Sequence, residues 1–96
     1  MTPSQWKFED PPNVACFTTQ AVVNGGKPIL YVSHDEDDGA WQFHSGDDVR
    51  SRDAMILALE KIVQMDASVE ELSDLPCGWV ATRATPRSTW VRAQHE

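Results

Sequence analysis

In one stretch of the chain, side chains capable of chemistry lie close together, and most of them are carboxylates. The segment DEDDGAWQFHSGDD, residues 35–48, contains six carboxylates around Trp41, and no Lys or Arg lies between Lys27 and Arg50. Such a concentration of oxygen atoms suits three roles: it can coordinate a hard cation, attract a basic protein, or keep a turn in solvent. The sequence favours the solvated turn for most of the segment, and protein binding as its function.

The acidic run departs from the calcium-binding loop that its composition suggests. Calcium takes about six to eight oxygen ligands, and the helix-loop-helix calcium motif needs Gly at the sixth loop position and Glu at the twelfth. Counted from Asp35, those positions hold Ala40 and Gly46. No metal site is therefore predicted here, and an acidic turn also protects a sheet edge from aggregation.

Three histidines and two cysteines supply softer ligands and possible nucleophiles. None of them follows the short spacing of structural zinc sites. His34 and His44 flank the first acidic run, and on adjacent strands they would form a pair that titrates mildly near neutral pH. With the nearby carboxylates, this pair defines the alternative to a binding module: a metal-binding or small hydrolytic protein.

Neither cysteine shows the surroundings of a catalytic nucleophile, which requires a nearby histidine that is itself held in place. Cys77 follows Pro76 and is predicted to begin a buried strand, where a thiol behaves as a small apolar group. Cys16 lies in an apolar segment and has the same interpretation. The two thiols are sixty-one positions apart in a chain without an export signal, so we expect them to stay reduced. We predict no catalytic residue, no cofactor and no enzymatic activity.

Tryptophan is abundant for a chain of 96 residues, with four indoles. Core packing explains most of them, but a small domain leaves one or two partly exposed, and exposed Trp anchors interfaces. We expect Trp41 or Trp90 to supply contact energy while carboxylates steer the partner. The predicted partner-binding residues are Asp35, Glu36, Asp37, Asp38, Trp41, Asp47, Asp48 and Trp90.

Charge narrows the class of partner. Eight Lys and Arg against fifteen Asp and Glu give a formal charge of −7, which repels nucleic acid and anionic membranes. A basic protein remains as the expected partner, and self-association is the alternative that exposed Trp would serve equally well. No apolar stretch has the length of a signal peptide or a membrane span, so the sequence predicts a cytoplasmic protein.

The chain divides into a short arm and one domain. Residues 1–12 contain Pro3, Pro11 and Pro12 among polar side chains and are predicted to be a flexible arm, with Trp6 and Phe8 as candidate anchors. Residues 13–96 have the length of a single domain with one modest core. The predicted boundary between the arm and the domain directly follows Pro12.

The first half of the domain has the composition of strands. Residues 14–23 and 29–34 are rich in β-branched and aromatic side chains and are joined by a Gly-Gly turn. Asp38-Gly39 makes the next turn, and the alternation in AWQFH places Trp41 and Phe43 on one face with Gln42 and His44 on the other. The outline is a meander of three strands.

The second half changes to helical spacing. In RSRDAMILALEKIVQMD, Ser51 is the predicted N-cap of a helix of about four turns. A further short turn capped by Ser68 ends at Pro76, and CGWVATRA and STWVRA form a final hairpin. The predicted fold class is therefore α+β, with an antiparallel sheet of about five strands packed against one main α-helix.

Three motifs of the chain resemble those of a bacterial family. They are a Gly-Gly-x-Pro-Ile turn, a Gly-x-Trp-x-Phe-type element after an acidic run, and an Asp-x-Ser element followed by Pro-x-Gly. The matching residues are Gly25, Gly26, Pro28, Ile29, Gly39, Trp41, Phe43, Ser45, Gly46, Asp47, Asp66, Ser68, Leu72, Pro76 and Gly78. Between residues 14 and 83 the chain is similar to immunity protein thirty-three of polymorphic toxin systems, although Ala40 is inserted and Ala67 replaces a proline. The resemblance implies a non-catalytic protein that binds and inhibits a secreted toxin domain.

Overall fold

Six short strands and three short helices make up the part of the fold that the structure describes. The computed structural model describes residues 6–46 and 53–95. The strands are β1 (Ala15–Thr19), β2 (Tyr31–His34), β3 (Trp41–His44), β4 (Ala54–Ala58), β5 (Trp79–Thr82) and β6 (Val91–Gln94). The helices are α1 (Gln20–Val23), α2 (Leu59–Met65) and a 3-10 helix (Ala67–Leu72).

The strands form one mixed sheet in the order β4-β1-β3-β2-β5-β6. All neighbours are antiparallel except β1 and β3, which run parallel. The predicted α+β class is confirmed, and so are the hairpins β2–β3 and β5–β6. The first three strands are not a simple meander, because α1 follows β1 directly and the chain returns to the far side of β3.

One face of the sheet carries the core. Along β3, Trp41 and Phe43 are buried while Gln42 and His44 are half-buried on the opposite face, as the alternation predicts. The helices add Val22, Leu59, Ile62, Val69 and Leu72 to the buried face. Burying these apolar side chains is the main stabilising contribution to the fold.

The predicted four-turn helix is wrong in its first half. Ala54–Ala58 is strand β4, and all five residues pair with β1, from Ala54 opposite Thr19 to Ala58 opposite Ala15. Only Leu59–Met65 is helical. The run AMILAL fits either period, because a short apolar segment does not distinguish a strand from a helix. The predicted N-cap Ser51 lies outside the described residues.

Two local boundaries also differ from prediction. The strand predicted over residues 14–23 ends at Thr19, whose Oγ1 accepts a hydrogen bond from the Val22 amide at 3.3 Å and starts α1. The cap of the 3-10 helix is Asp66 rather than Ser68, since the Asp66 carboxylate accepts from the Ser68 amide at 3.0 Å. Both cases are side-chain oxygens satisfying free amides at a helix start.

Residues 6–12 contain no strand or helix but contact the domain. Phe8 is only 5% exposed and meets the Trp41 ring edge-to-face at 5.3 Å between centroids. The Trp41 indole nitrogen donates to the Asp10 carboxylate at 2.9 Å, and the Trp6 indole donates to the Asp10 carbonyl at 2.7 Å. Phe8 therefore anchors this segment, while the predicted flexibility of residues 1–12 stays a prediction.

A buried arginine ties three loops together. Arg83 donates to the Ile29 carbonyl, to the Ser68 hydroxyl and to the Asp66 carboxylate, the last at 2.7 Å. Its guanidinium carbon lies 4.1 Å from the ring centroid of Trp90. The Arg83 guanidinium therefore holds together three segments: the one before β2, the start of the 3-10 helix and the one before β6.

The described residues include no helix long and apolar enough to cross a membrane.

Candidate functional site: an acidic groove beside an open sheet face

The turn between β2 and β3 forms one wall of a groove of about 510 Å³. We call residues 35–38 the acidic turn and this cavity the acidic groove. Its floor comes from β2, β3 and β5, and its far side from the turn before β5 and the end of β6. The lining includes Tyr31, His34, Gln42, His44, Trp79 and His95, with all four carboxylates of the acidic turn. No Lys or Arg of the described chain lines it, so its potential is negative.

Two of the four carboxylates hold the hairpin in shape. The Asp35 carboxylate accepts from the Ser33 hydroxyl at 3.1 Å and from the Gln42 side-chain amide at 2.7 Å. The Asp38 carboxylate accepts from the Ala40 amide at 3.0 Å, which is the short side-chain loop that favours Asp in turns. A positive φ of 73° at Gly39 completes the reversal.

The other two carboxylates have no such role within the described chain. Glu36 and Asp37 are exposed, and no described side chain or amide donates a hydrogen bond to either. Their negative charge faces the groove and solvent at the tip of the acidic turn. Within the acidic turn, the charge that the described fold does not use therefore belongs to these two residues.

An aromatic pair forms the floor of the groove. Tyr31 and His44 are opposite each other in the β2–β3 pairing, and their rings stack with centroids 4.5 Å apart. Burial lowers the pKa of His44 below its usual 6.5, which favours the neutral ring. The neutral Nδ1 accepts from the Gly46 amide at 3.3 Å.

Beyond the groove, the sheet face opposite the core is open. Phe17 and Ile56 are direct cross-strand neighbours on β1 and β4, and they are 42% and 64% exposed. Val91 at the other side of the sheet is 63% exposed. We call this surface the open face. The helices of the described chain pack on the opposite side, so large apolar side chains stay in contact with solvent here.

The tryptophans chosen from the sequence as contact residues do not supply this surface. Trp41 is 2% exposed and Trp90 is 8% exposed, so the expectation that either is an exposed anchor is wrong. Trp41 lies under the residue 6–12 segment, and Trp90 lies against Arg83. Exposed apolar contact area comes instead from the open face. Of the other predicted partner-binding residues, Asp47 and Asp48 lie outside the described residues.

The predicted histidine pair is not formed. In the β2–β3 pairing His34 lies opposite Trp41 and His44 lies opposite Tyr31, at the two ends of the hairpin and on opposite faces. The described residues contain no group of three or more His, Cys, Asp or Glu arranged to hold a metal ion. The alternative based on a His34–His44 metal site therefore finds no geometric support within the described chain.

The structure brings His34 to a different partner, which the sequence reading missed. Cys77 is exposed, and its Sγ lies 3.6 Å from His34 Nε2. The prediction placed Cys77 in a buried strand, but β5 begins two residues later, at Trp79. The Pro-Cys-Gly sequence, which is typical of a turn, was the signal that could have placed this thiol outside the strand.

Comparisons of the chain with protein families, with curated proteins and with solved structures found no match.

Proposed function

We propose that this protein is a non-enzymatic binding module that receives a basic protein surface in the acidic groove and on the open face beside it. The observation that carries the proposal is the division of the acidic turn. Asp35 and Asp38 hold the hairpin, whereas Glu36 and Asp37 place two charges at the rim that the described fold does not use.

Charge and apolar area adjoin in the way that protein interfaces require. Carboxylates at a rim accelerate association with a positively charged partner, while apolar and aromatic side chains nearby supply most of the contact energy. Here the rim is the acidic turn, and the contact area is Tyr31, Phe17 and Ile56. The formal charge of −7 also attracts a positively charged partner at long range. That the basic partner is a toxin domain rests only on the motif resemblance to the immunity proteins.

The test uses a variant that neutralises only the unused charges. Glu36→Gln with Asp37→Asn should reduce the association rate for a basic partner severalfold at low salt and leave the melting temperature unchanged. Partners are captured from lysate of the source cell, and association is then measured with each purified candidate at low and high salt. The rate for the parent protein should fall as salt rises, since screening acts on exposed charges.

A matched control removes the same amount of charge elsewhere. Glu9→Gln with Glu71→Gln neutralises two exposed carboxylates outside the groove. If this control slows association as much as the groove variant, net charge rather than the acidic turn governs binding. If neither variant changes the rate, the steering role of the acidic turn is refuted.

One observation favours self-association as a second candidate. Strand β4 is at one end of the strand order, its sequence AMILA has no charge, and Ile56 is largely exposed. An uncharged strand at a sheet edge is a template for pairing with another chain. Sedimentation across a range of concentrations tests it: a mass that rises to twice the monomer, and returns to the monomer with Ile56→Lys, would establish a dimer through β4.

A further inference from the structure

Cys77 and His34 form a thiol–imidazole pair next to the acidic groove, whose lining includes His34 and Gly78 but not Cys77. Cys77 lies in the turn of residues 76–79, which the Trp79 amide closes onto the Pro76 carbonyl at 3.2 Å. Its Sγ is exposed and lies 3.6 Å from His34 Nε2. The thiol therefore has both solvent access and a basic nitrogen within hydrogen-bond distance.

The second ring nitrogen of His34 fixes which nitrogen is basic. His34 Nδ1 lies 2.7 Å from the Leu75 carbonyl oxygen. A carbonyl oxygen only accepts hydrogen bonds, so Nδ1 carries the proton in the neutral ring and Nε2 keeps its lone pair. The lone pair of Nε2 is directed at the Cys77 thiol. This arrangement, nucleophile to base and base to an orienting acceptor, is the one that activates thiols.

The imidazole is held rigidly enough to serve as a proton acceptor. Its ring stacks on Trp41 with centroids 3.9 Å apart and an interplanar angle of 13°. The His34 carbonyl accepts from the Gly78 amide at 2.7 Å, which fastens the cysteine turn to β2. Gly78 has a φ of 86°, the positive value that glycine adopts without strain. Stacking on Trp41 therefore positions the imidazole ring, and the hydrogen bond between the Gly78 amide and the His34 carbonyl holds the cysteine turn beside it.

One of the two unused carboxylates, Glu36, lies beside this pair. A Cβ placed on Gly78 would lie 3.5 Å from Glu36 Oε1, so the Glu36 carboxylate contacts the residue next to Cys77. Gly78, the neighbour of Cys77, lines the acidic groove together with the acidic turn, so the negative charge of that turn acts on molecules that approach the thiol. A positively charged reagent is attracted there and a negatively charged one is repelled.

The other thiol of the chain lacks all of these features. Cys16 is fully buried in β1, and burial together with the Asp10 carboxylate raises the pKa of its thiol to about 12. The thiolate is the reactive form of cysteine. Cys16 is therefore an internal reference that should not react in the folded protein.

We propose that Cys77 is a thiol–disulfide exchange site selective for small cationic disulfides, with His34 as its proton acceptor. The Cys77 sulfur attacks one sulfur of the disulfide, so that a new S–S bond forms and the reagent's S–S bond breaks. His34 Nε2 takes the thiol proton and passes it to the departing thiolate, which leaves as a free thiol. The product is a mixed disulfide at Cys77, which an excess of thiol reverses.

The test compares three disulfides of similar size and different charge: cystamine, hydroxyethyl disulfide and dithiodipropionate. Each rate with the folded protein is divided by the rate of the same reagent with N-acetylcysteine amide, which removes intrinsic reactivity. Intact-mass spectrometry and peptide mapping follow the product. We expect modification of Cys77 alone, in the order cationic, neutral, anionic, with a span of at least about tenfold at low salt that shrinks in high salt. Cys77→Ser should abolish the product.

Two variants separate the roles of base and rim. Glu36→Gln with Asp37→Asn should compress the charge order, measured as the rate with each charged disulfide divided by the rate of the same variant with the neutral one. His34→Gln should lower all three rates by the same factor, at least about tenfold, and preserve the charge order. Because the neutral reagent carries no charge for the rim to attract or repel, its rate with the parent protein and with His34→Gln tests the Cys77–His34 pair independently of the proposed binding of a basic protein.

A measurement on the unaltered protein covers the case in which His34→Gln unfolds. Nitrogen-15 spectra of the neutral imidazole should show Nδ1 protonated and Nε2 unprotonated. A normalised Cys77 rate no faster than that of the small thiol, or a His34 ring protonated at Nε2 alone, would overturn the proposal. Equal normalised rates for the three disulfides at low salt would overturn the charge selectivity.

Discussion

At the scale of single residues, neighbouring carboxylates of the acidic turn differ in what they do. Asp35 accepts two side-chain hydrogen bonds, whereas Asp37 receives none from the described chain. Asp35→Ala should therefore lower the free energy of unfolding by about 1–3 kcal/mol, and Asp37→Ala should change it by less than about 0.5 kcal/mol. Urea unfolding of the two variants checks this; equal losses would show that the turn is held by its backbone alone.

The lowered pKa of His44 predicts that the stability of the protein depends on pH. Burial lowers its pKa in the folded state, so the unfolded chain binds a proton first as the pH falls. The contribution of His44 to stability is thus complete above about pH 6.5, decreases as the pH falls below that value, and levels off once the folded ring is also protonated. Melting temperatures of the parent and of His44→Gln between pH 8 and 5 should diverge; parallel curves would contradict the shift.

The residues that sequence could assign are those whose role is local. The Asp38-Gly39 turn and the alternation of Trp41 and Phe43 depend on near neighbours, and both were predicted. The contact between Cys77 and His34 joins residues 43 positions apart, and the Trp90 ring packs against the Arg83 guanidinium. No spacing rule carries such information, so these features of the site became visible only in three dimensions.

At the scale of elements, the Arg83 side chain joins three segments that are separate in the sequence. Its side chain is 2% exposed and is paired with Asp66, which also caps the 3-10 helix. Removing one partner of a buried pair leaves the other uncompensated, so Arg83→Ala should cost about 3–5 kcal/mol. Arg92→Ala, which breaks the exposed pair with Asp74, should leave the unfolding midpoint close to that of the parent. A small effect at both positions would contradict this role.

Some helix and strand boundaries cannot be predicted from the sequence pattern alone. The hairpins β2–β3 and β5–β6 were predicted because turn residues separate runs of alternating side chains. The apolar run of β4 fits both the helical and the strand period, so the pattern predicted a helix there. Pairing with β1, about forty residues earlier, makes this run a strand. The parallel β1–β3 partners Phe17 and Gln42 are also far apart in the sequence, so their pairing was not predicted. Local preference was overridden by tertiary pairing in both cases.

At the scale of the whole molecule, the sheet has one buried and one open face, and the same substitution should distinguish them. Ile62 is fully buried in α2, whereas Ile56 is 64% exposed on β4. Ile62→Ala should cost about 2–5 kcal/mol, since it leaves a cavity in the core. Ile56→Ala should cost no more than about 1 kcal/mol, from strand preference alone. Chemical denaturation measures both; a comparable loss at Ile56 would mean that something covers the open face.

The position of β1 inside the sheet has a consequence for how the chain is made. β1 is hydrogen-bonded on one side to β3 and on the other to β4, which ends at Ala58. On the ribosome, where residues are added one at a time from the amino end, β1 emerges well before either neighbour exists. Non-local pairing of this kind delays folding and prolongs the exposure of strand edges to other chains. Nascent chains stalled before β4 should therefore depend on chaperones, and those released after it should not.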